Sequence, residues 1–212
     1  MSLVHFNSSQ DFGKSIIWKI DEGEEFFKNQ LLVSELNTKL KSKKQKLEWL
    51  SSRYLFKSLA NISPYQIIKD EFGKPHFNAP EQQNHLSISH SNGYAAVALS
   101  GENIGIDIQT YVEKIYRIKK KFTSESECAK FNDEELNEIQ VLHLIWTIKE
   151  SVFKLYGRKE LPFIEGIQIE QCIQSKKTIV CHGLLKKDGL EKDFISHSNL
   201  YEKFCFSKAR YK

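Results

Sequence analysis

The sequence lacks long apolar runs and clustered cysteines. Its longest purely apolar run, residues 94–99, is far below the ~20 residues needed to span a bilayer. Residues 1–10 carry no basic segment followed by an apolar stretch, so no signal peptide is expected. The cysteines have neither the spacing of a zinc site nor the density of a disulfide framework. They are Cys128, Cys172, Cys181 and Cys205. We therefore expect a cytoplasmic protein with reduced thiols and no membrane partner.

The chain also lacks a strong excess of either charge. It has 31 basic and 27 acidic side chains in 212 residues, a formal net charge of +4, which is too small to indicate nucleic acid. Hydrophobic residues make up 40% and aromatic residues 12%, a composition that excludes disorder and collagen-like repeats. Basic residues cluster at 39–46 and 114–121. Such clusters fit a phosphorylated or acidic partner, or simply a solvated helix face.

Hydrophobic periodicity predicts an α+β protein in two halves. Leucines spaced by three, four and seven residues predict a helix over 31–60, and an apolar stripe predicts another over 134–156 that stops at Gly157. Between them, three short strands with glycine-containing turns predict an antiparallel meander. These strands are 85–89, 94–99 and 104–109, and further β-like segments follow at 164–170, 177–181 and 203–208. We place the boundary so that residues 1–102 and 103–212 form the halves.

The third predicted strand carries an acid and an amide on one face. Ile106 and Ile108 point one way, and Asp107 and Gln109 point the other. Residues Trp146, Glu150 and Lys154 are four residues apart and share one face of the second helix, which also contains Lys149. Taken alone, the first pattern is more typical of an ordinary strand face, and the second is more typical of a surface ion pair beside a core tryptophan.

Four further residues are suited to binding phosphate. Ser89 and His90 precede a glycine-containing turn, Lys74 lies on the rigid turn before Pro75, and Arg53 lies in the basic helix. Hydrolase chemistry is the competing interpretation. Hydrolysis is disfavoured because Ser89 and His90 are adjacent in a strand and project to opposite faces, so they do not easily form a nucleophile–base pair. The sequence also contains no G-x-S-x-G motif.

In their order along the chain, these motifs resemble the 4′-phosphopantetheinyl transferase superfamily. The resemblance is closer to its large, surfactin-synthetase-activating type, and it covers about residues 47–157. The motifs that carry it are Arg53, Gly73-Lys74-Pro75, Ser89-His90-Ser91, Gly105-Ile106-Asp107-Ile108, residues 122–127 and the W-x-x-K-E-x-x-x-K segment 146–154. The implied fold has two similar halves related by a pseudo-twofold axis. Each half would have a three-stranded antiparallel sheet and a long helix, with coenzyme A bound between the halves.

The resemblance also implies an activity and a set of residue roles. The 4′-phosphopantetheine arm of coenzyme A would move to a serine of an apo acyl or peptidyl carrier protein, and adenosine 3′,5′-bisphosphate would be released. The enzyme would be a monomer. Asp107 and Glu150 would hold magnesium or manganese, with Gln109 as a weak or water-mediated ligand where many relatives have glutamate. Glu150 would accept the serine proton, and Lys154 would neutralise phosphate charge. The implied coenzyme A contacts are Arg53, Lys74, Pro75, Ser89, His90, Lys149 and Lys154.

The basic segment after the third strand is the implied docking site for the carrier protein, because such carriers are typically acidic. Its residues are Lys114, Arg117, Lys119, Lys120 and Lys121. Two other functions stay open from the sequence. One is a coenzyme A-binding module without activity, which has no need of Asp107, Glu150 and Lys154 together. The other is a metal-dependent phosphohydrolase, which needs a denser acidic cluster.

Overall fold

The computed structural model describes residues 2–33, 40, 42–61, 67–77, 85–131, 136–175 and 178–212. The first half contains strands β1 (Leu3–Ser9) and β2 (Gly13–Lys19), helices α1 (Glu24–Leu31) and α2 (Lys43–Ala60), and strands β3 (Ile67–Lys69), β4 (Pro75–Phe77), β5 (His85–Ser91) and β6 (Tyr94–Ser100). The second contains β7 (Gly105–Thr110), α3 (Glu125–Cys128), α4 (Glu138–Tyr156), β8 (Ile167–Ser175), β9 (Thr178–Lys187), β10 (Leu190–Leu200) and β11 (Phe204–Tyr211).

Two antiparallel sheets confirm the predicted α+β class. The first has the order β1-β2-β6-β5 and the second β7-β11-β10-β9-β8, while β3 and β4 form a small hairpin. The sheets thus have four and five strands rather than the three implied by the resemblance. Strands β1, β2 and β10 were not predicted. Most residues of β10 are polar or charged, so this strand has no simple apolar alternation.

The predicted three-stranded meander is wrong in its last strand. Strands β5 and β6 form the expected hairpin, but β7 pairs with β11 of the second sheet. β7 also packs closely on α4, where a Cβ at Gly105 would overlap the Ser151 carbonyl oxygen. Without that Cβ, β7 lies directly against α4.

The helices begin later than the sequence predicted. α2 starts at Lys43, where Ser42 and Gln45 form a capping box, and α4 starts at Glu138 with the equivalent box from Asn137 and Gln140. Residues 34–39, 41, 134 and 135, which the predicted helices included, lie outside the described residues. The predicted stop is confirmed: Gly157 adopts φ 71°, in the left-handed region that favours glycine.

In the described residues, three large apolar cores hold the layers together, and a smaller cluster packs α1 against α2. One packs α4 against the second sheet, and another packs α2 against the first sheet. The third lies between the sheets and contains Ile106 and Ile108 of β7 together with Ile17 and Phe206. In the described part of the chain, no helix has both the length and the apolar character needed to cross a membrane.

The cysteine expectation needs correction. The register of β8 and β9 places Cys172 opposite Cys181, and the structure joins their sulfurs as a disulfide. Cys128 and Cys205 are free thiols. Spacing along the chain did not show the pairing, because it depends on which residues face each other across the hairpin.

Candidate active site

Strands β5 and β7 form the boundary between the two sheets through serine side chains. The hydroxyl oxygens of Ser87, Ser89 and Ser91 accept hydrogen bonds from the backbone N–H groups of the β7 residues at 106, 108 and 110, at 3.0, 3.2 and 3.2 Å. The offset is 19 residues in each case, so the two strands run parallel. We call this row of contacts the serine seam. It fixes the position of Asp107 relative to the first half of the chain.

Asp107 lies at the centre of a small polar cluster and is only 6% exposed. The Ser89 hydroxyl donates to Asp107 Oδ1 at 2.7 Å, and Lys154 Nζ donates to the same oxygen at 2.8 Å. Lys154 comes from α4, which packs directly on β7. The predicted alternation of the strand is therefore correct: Ile106 and Ile108 enter the core, while Asp107 turns towards the helix.

Glu150 brings a second carboxylate to this cluster. Burial, together with the smaller effect of the nearby charge of Asp107, raises the pKa of Glu150 to about 7, while Lys154 opposes the shift. None of the described residues donates a hydrogen bond to its carboxylate. Such a group readily accepts a proton or a cation near neutral pH.

The donor set fits a hard divalent cation. Two carboxylates, Asp107 and Glu150, repel each other and lack a full set of internal partners, and such cations prefer oxygen ligands. Gln109 lies two residues beyond Asp107 on the same face of β7 and is half-buried. Its amide oxygen is a third candidate ligand. Histidine, cysteine, aspartate and glutamate form no cluster of three or more suited to a metal within the described ranges.

A cavity of about 790 Å³ lies between α2 and α4, beside this cluster. Its volume is typical of a cofactor or substrate site. Its lining is strongly basic, and Glu48 is the only acidic residue among the lining residues of the described chain. The basic residues are Arg53, Lys69, Lys74, His90, Lys154, Arg158 and Lys159. We call this cavity the cationic cleft, and its charge suits a ligand with several phosphates.

Arg53 and His90, two of the residues predicted to bind phosphate, both line the cleft. Burial lowers the pKa of Arg53 to about 10, which still leaves the guanidinium charged at neutral pH. It lies 4.3 Å from the centre of the Trp49 ring and donates to the Ser52 hydroxyl at 3.1 Å. The His90 side chain is 50% exposed, with Nδ1 3.5 Å from Glu48 Oε2.

Lys74 ties the two halves together at the edge of the cleft. Its ammonium donates to Asn103 Oδ1 at 2.6 Å and to the Leu155 carbonyl at 3.0 Å. Leu155 lies in the last turn of α4, so Lys74 caps the end of the helix that carries Glu150. Burial lowers the pKa of Lys74 to about 8. Since an ammonium has three N–H groups, one remains for a ligand in the cleft, which the adjacent Pro75 also lines.

Two predicted coenzyme A contacts have other partners. Lys149 is fully buried, and its ammonium donates to Glu127 Oε2 and to the Phe163 carbonyl, each at 2.8 Å. Its assignment to coenzyme A binding is corrected, because a ligand in the cleft does not reach it. The Ser89 hydroxyl is likewise engaged by Asp107 and by the backbone N–H of Ile108.

The sequence analysis missed several residues of the cleft. Arg158 and Lys159 directly follow the predicted helix stop, and a basic pair after a helix end was a usable pattern. Lys69 and Asn103 offered no such pattern. They reach the site because the β3–β4 hairpin and the turn before β7 meet the end of α4.

A second cavity, of about 880 Å³, lies beside the segment 113–121. Its lining contains Lys119 and Lys120, two acidic residues and several apolar side chains. The acidic residues are Glu125 and Glu138, and the apolar ones include Phe131, Val141 and Leu142. The structure therefore combines part of the predicted basic docking segment with an apolar surface.

Comparison with known proteins identifies the relatives of this chain. Residues 103–206 match the family profile of the 4′-phosphopantetheinyl transferase superfamily. The chain is also 32% identical over 134 residues to the 4′-phosphopantetheinyl transferase gsp of Aneurinibacillus migulanus, a match that covers 62% of this chain. The match spans just over half of that relative, 55% of its length.

Proposed function

Because the chain belongs to the 4′-phosphopantetheinyl transferase superfamily, we propose that it transfers the 4′-phosphopantetheine arm of coenzyme A to a serine of an apo acyl or peptidyl carrier protein. The serine oxygen bonds to the phosphorus that carries pantetheine, the pyrophosphate P–O bond breaks, and adenosine 3′,5′-bisphosphate leaves. The observation that carries the proposal is the cationic cleft, whose lining residue Lys154 donates to Asp107 and lies close to Glu150. In this proposal residues 1–102 supply most phosphate contacts, and residues 103–212 supply the metal site and the catalytic helix.

Arg53 and His90 hold the nucleotide phosphates in this proposal. Both line the cleft, and Arg53 has no carboxylate partner among the described residues. A buried guanidinium without a counter-ion favours an anionic ligand, because the ligand restores the interaction energy lost on leaving water. Lys74 contributes its remaining N–H group from the opposite edge.

Asp107 and Glu150 would hold magnesium, or manganese, with Gln109 as a weaker or water-mediated ligand. The bound cation would neutralise charge on the pyrophosphate. Glu150 accepts the serine proton at one carboxylate oxygen, since its pKa of about 7 lets it gain and lose a proton near neutral pH. Lys154 supports the phosphate being transferred through its ammonium, which borders the cleft.

The carrier protein docks against the second cavity in this proposal. Lys119 and Lys120 in its lining attract an acidic surface, and the apolar side chains provide area for burial. Lys114, Arg117 and Lys121 extend the basic segment. No nucleic acid or membrane takes part. We place the enzyme in the cytoplasm on the ground of its co-substrate, and we propose a monomer because both walls of the cleft come from one chain.

The test is direct. The protein is incubated with coenzyme A, magnesium and a panel of apo carrier proteins, and each carrier is weighed by mass spectrometry. The expected result is a mass gain of one phosphopantetheine arm on at least one carrier, abolished when its serine is replaced by alanine. Coenzyme A bound without modification of any carrier would favour a binding module instead. Coenzyme A cleaved in the absence of a carrier would favour a phosphohydrolase.

A further inference from the structure

We propose that Ser89 is a positioning residue that fixes which oxygen of Asp107 is available to the active-site cation. The inference rests on the proposed function for the presence of that cation. It differs from the role expected from the sequence, in which Ser89 holds a phosphate of coenzyme A. The contacts of three atoms support this role: the Ser89 hydroxyl oxygen and the two carboxylate oxygens of Asp107.

The direction of the Ser89 hydroxyl hydrogen is determined by its neighbours. The backbone N–H of Ile108 can only donate, so Ser89 Oγ must accept that bond through a lone pair, at 3.2 Å. The hydroxyl hydrogen is then free for Asp107 Oδ1, which lies 2.7 Å away and can only accept when ionised. Ser89 is buried.

Both internal donors reach the same oxygen of Asp107. Ser89 and Lys154 both donate to Oδ1, at 2.7 and 2.8 Å. Oδ2 receives no hydrogen bond from any residue that the structure describes. Two donors on one oxygen hold the carboxylate plane, and they leave Oδ2 with its lone pairs for a cation. A hydrogen bond that orients a metal-ligating carboxylate in this way supports the affinity for the metal.

Lys154 alone does not fix this geometry. Its side chain is long and 28% exposed, so its ammonium has several ways to reach the carboxylate. Ser89 has a single side-chain torsion, and its oxygen is already fixed by the backbone of β7. The strand that carries Asp107 therefore also fixes the group that orients Asp107.

The serine seam offers a matched control. Ser91 accepts the Thr110 backbone N–H at 3.2 Å, just as Ser89 accepts that of Ile108, and it too is buried. Its second contact is the Thr110 hydroxyl rather than a carboxylate. Replacing either serine removes one seam bond, but only Ser89 also contacts Asp107. A purely structural role predicts equal effects, and a positioning role predicts a difference.

The experiment compares Ser89→Ala, Ser89→Thr and Ser91→Ala with the parent protein. Three quantities are measured: the thermal midpoint, Mn²⁺ affinity by calorimetry with saturating coenzyme A, and kcat and KM for transfer. We expect similar falls of the midpoint in both alanine variants. Only Ser89→Ala should weaken Mn²⁺ binding, by about 10- to 100-fold, the usual effect of losing a partner of a metal ligand. Its kcat should fall with KM for coenzyme A unchanged, and threonine should restore both.

Three results would overturn the inference. They are Mn²⁺ affinity equal in Ser89→Ala and Ser91→Ala, a rise in KM for coenzyme A with Mn²⁺ binding intact, and a parent protein that binds no Mn²⁺. If Ser89→Ala does not fold, Ser89→Cys replaces it, since a thiol is a weaker donor of similar size, and the same outcomes apply. The Mn²⁺ titration needs no carrier protein. A parent that binds Mn²⁺ but modifies no carrier would refute the proposed transferase activity alone.

Discussion

Two lysines of the same helix form ion pairs with carboxylates, and the two pairs differ in burial and in their further hydrogen bonds. Lys149 pairs with Glu127 and Lys154 pairs with Asp107, each at 2.8 Å. The two lysines are five residues apart on α4, and each carboxylate comes from a segment packed against that helix. In the sequence they look equivalent, and both were assigned to coenzyme A binding.

The first pair is internally satisfied. Thr123 and Lys149 donate to Glu127 Oε2, the backbone N–H of Ile169 donates to Oε1, and Lys149 also donates to the Phe163 carbonyl. Burial lowers the pKa of Lys149, while Glu127 raises it. Both carboxylate oxygens of Glu127 and two N–H groups of Lys149 are used inside the protein, so this pair joins α4 to α3 and β8. Lys149 is fully buried and does not line the cationic cleft.

The second pair is incomplete. Asp107 receives both donors on one oxygen, Lys154 is partly exposed at the cationic cleft, and Glu150 lies near them with a raised pKa. The comparison teaches that an ion pair is best assigned by counting its unused lone pairs and N–H groups. Charge and spacing did not separate the two pairs.

The largest effect should follow from removing either carboxylate of the active-site cluster, Asp107 of the second pair or the neighbouring Glu150. We expect Asp107→Ala and Glu150→Ala each to lower kcat for transfer by about 10³- to 10⁴-fold, or ~4–5.5 kcal/mol, because metal binding and proton acceptance are lost. The thermal midpoint should stay close to that of the parent. Mass-spectrometric assay of carrier modification and thermal unfolding check the two statements. Turnover like that of the parent in either variant contradicts the assignment.

For the first pair, we expect removal of the carboxylate to lower stability. Glu127→Ala leaves the Lys149 ammonium buried without a counter-charge, which costs about 3–5 kcal/mol of unfolding free energy. Urea unfolding measures this loss. Lys119→Ala, at an exposed ion pair with Glu138, is the control and should change stability by less than about 1 kcal/mol. A Glu127 variant of normal stability but no activity would show that this pair belongs to the active site.

Glu150, which lies beside the second pair, should contribute to the pH dependence of stability. Glu150 has a folded-state pKa of about 7, above the ordinary 4.5, so the folded protein binds this proton more tightly than the unfolded chain. Its contribution is complete below pH ~4.5 and is lost as pH rises through 7, by up to about 3 kcal/mol. Urea unfolding of metal-free protein from pH 4.5 to 8 should show this loss. The loss of stability with rising pH should be smaller in Glu150→Gln than in the parent, and an identical slope in both proteins would contradict the shift.

Replacing Arg53 tests whether a cation without a carboxylate partner binds the ligand in the cationic cleft. Arg53→Ala should weaken coenzyme A binding by about 1.5–3 kcal/mol, as expected for a lost charge-assisted hydrogen bond. Lys57→Ala is the control, since Lys57 lies on the same helix but bonds to the Gln30 carbonyl. Calorimetry with coenzyme A and with dephospho-coenzyme A identifies the phosphate involved. If Arg53 binds the 3′-phosphate, parent and variant should bind the dephospho form equally.

The smallest effect is expected at Gln109. Gln109→Ala should lower activity by less than about tenfold, or ~1.4 kcal/mol, because water can replace a neutral ligand. Gln109→Glu should strengthen magnesium binding to the free protein, since it adds an anionic oxygen. Titration of magnesium with and without coenzyme A measures both. Loss of activity in Gln109→Ala as complete as in Asp107→Ala would make Gln109 a required ligand.

Much of the candidate site was predictable from local patterns. The alternation of β7 placed Asp107 opposite to Ile106 and Ile108, and helical spacing placed Glu150 and Lys154 together. The glycine stop at Gly157 was also predictable, because few other residues adopt its backbone conformation. These features depend on residues close in sequence, for which period and backbone preference decide the outcome.

The missed features depend on long-range contacts. β7 pairs with β11, which is about 100 residues away in the sequence, and the Cys172–Cys181 pair depends on hairpin register. Polar strands such as β10 gave no clear apolar alternation, although burial in the assembled sheet stabilises them. Neither sheet membership nor register follows from the local period.

By itself, the sequence determined the α+β class, the faces of β7 and α4, and the chemical groups available for binding phosphate and a cation. Only the tertiary structure decided which of those groups keep free lone pairs and N–H groups. It buried Lys149 against Glu127, gave the hydroxyl of Ser89 to Asp107, and left Arg53 facing the cleft without a carboxylate partner in the described chain. The physical reason is that desolvation and hydrogen-bond satisfaction depend on neighbours distant in sequence.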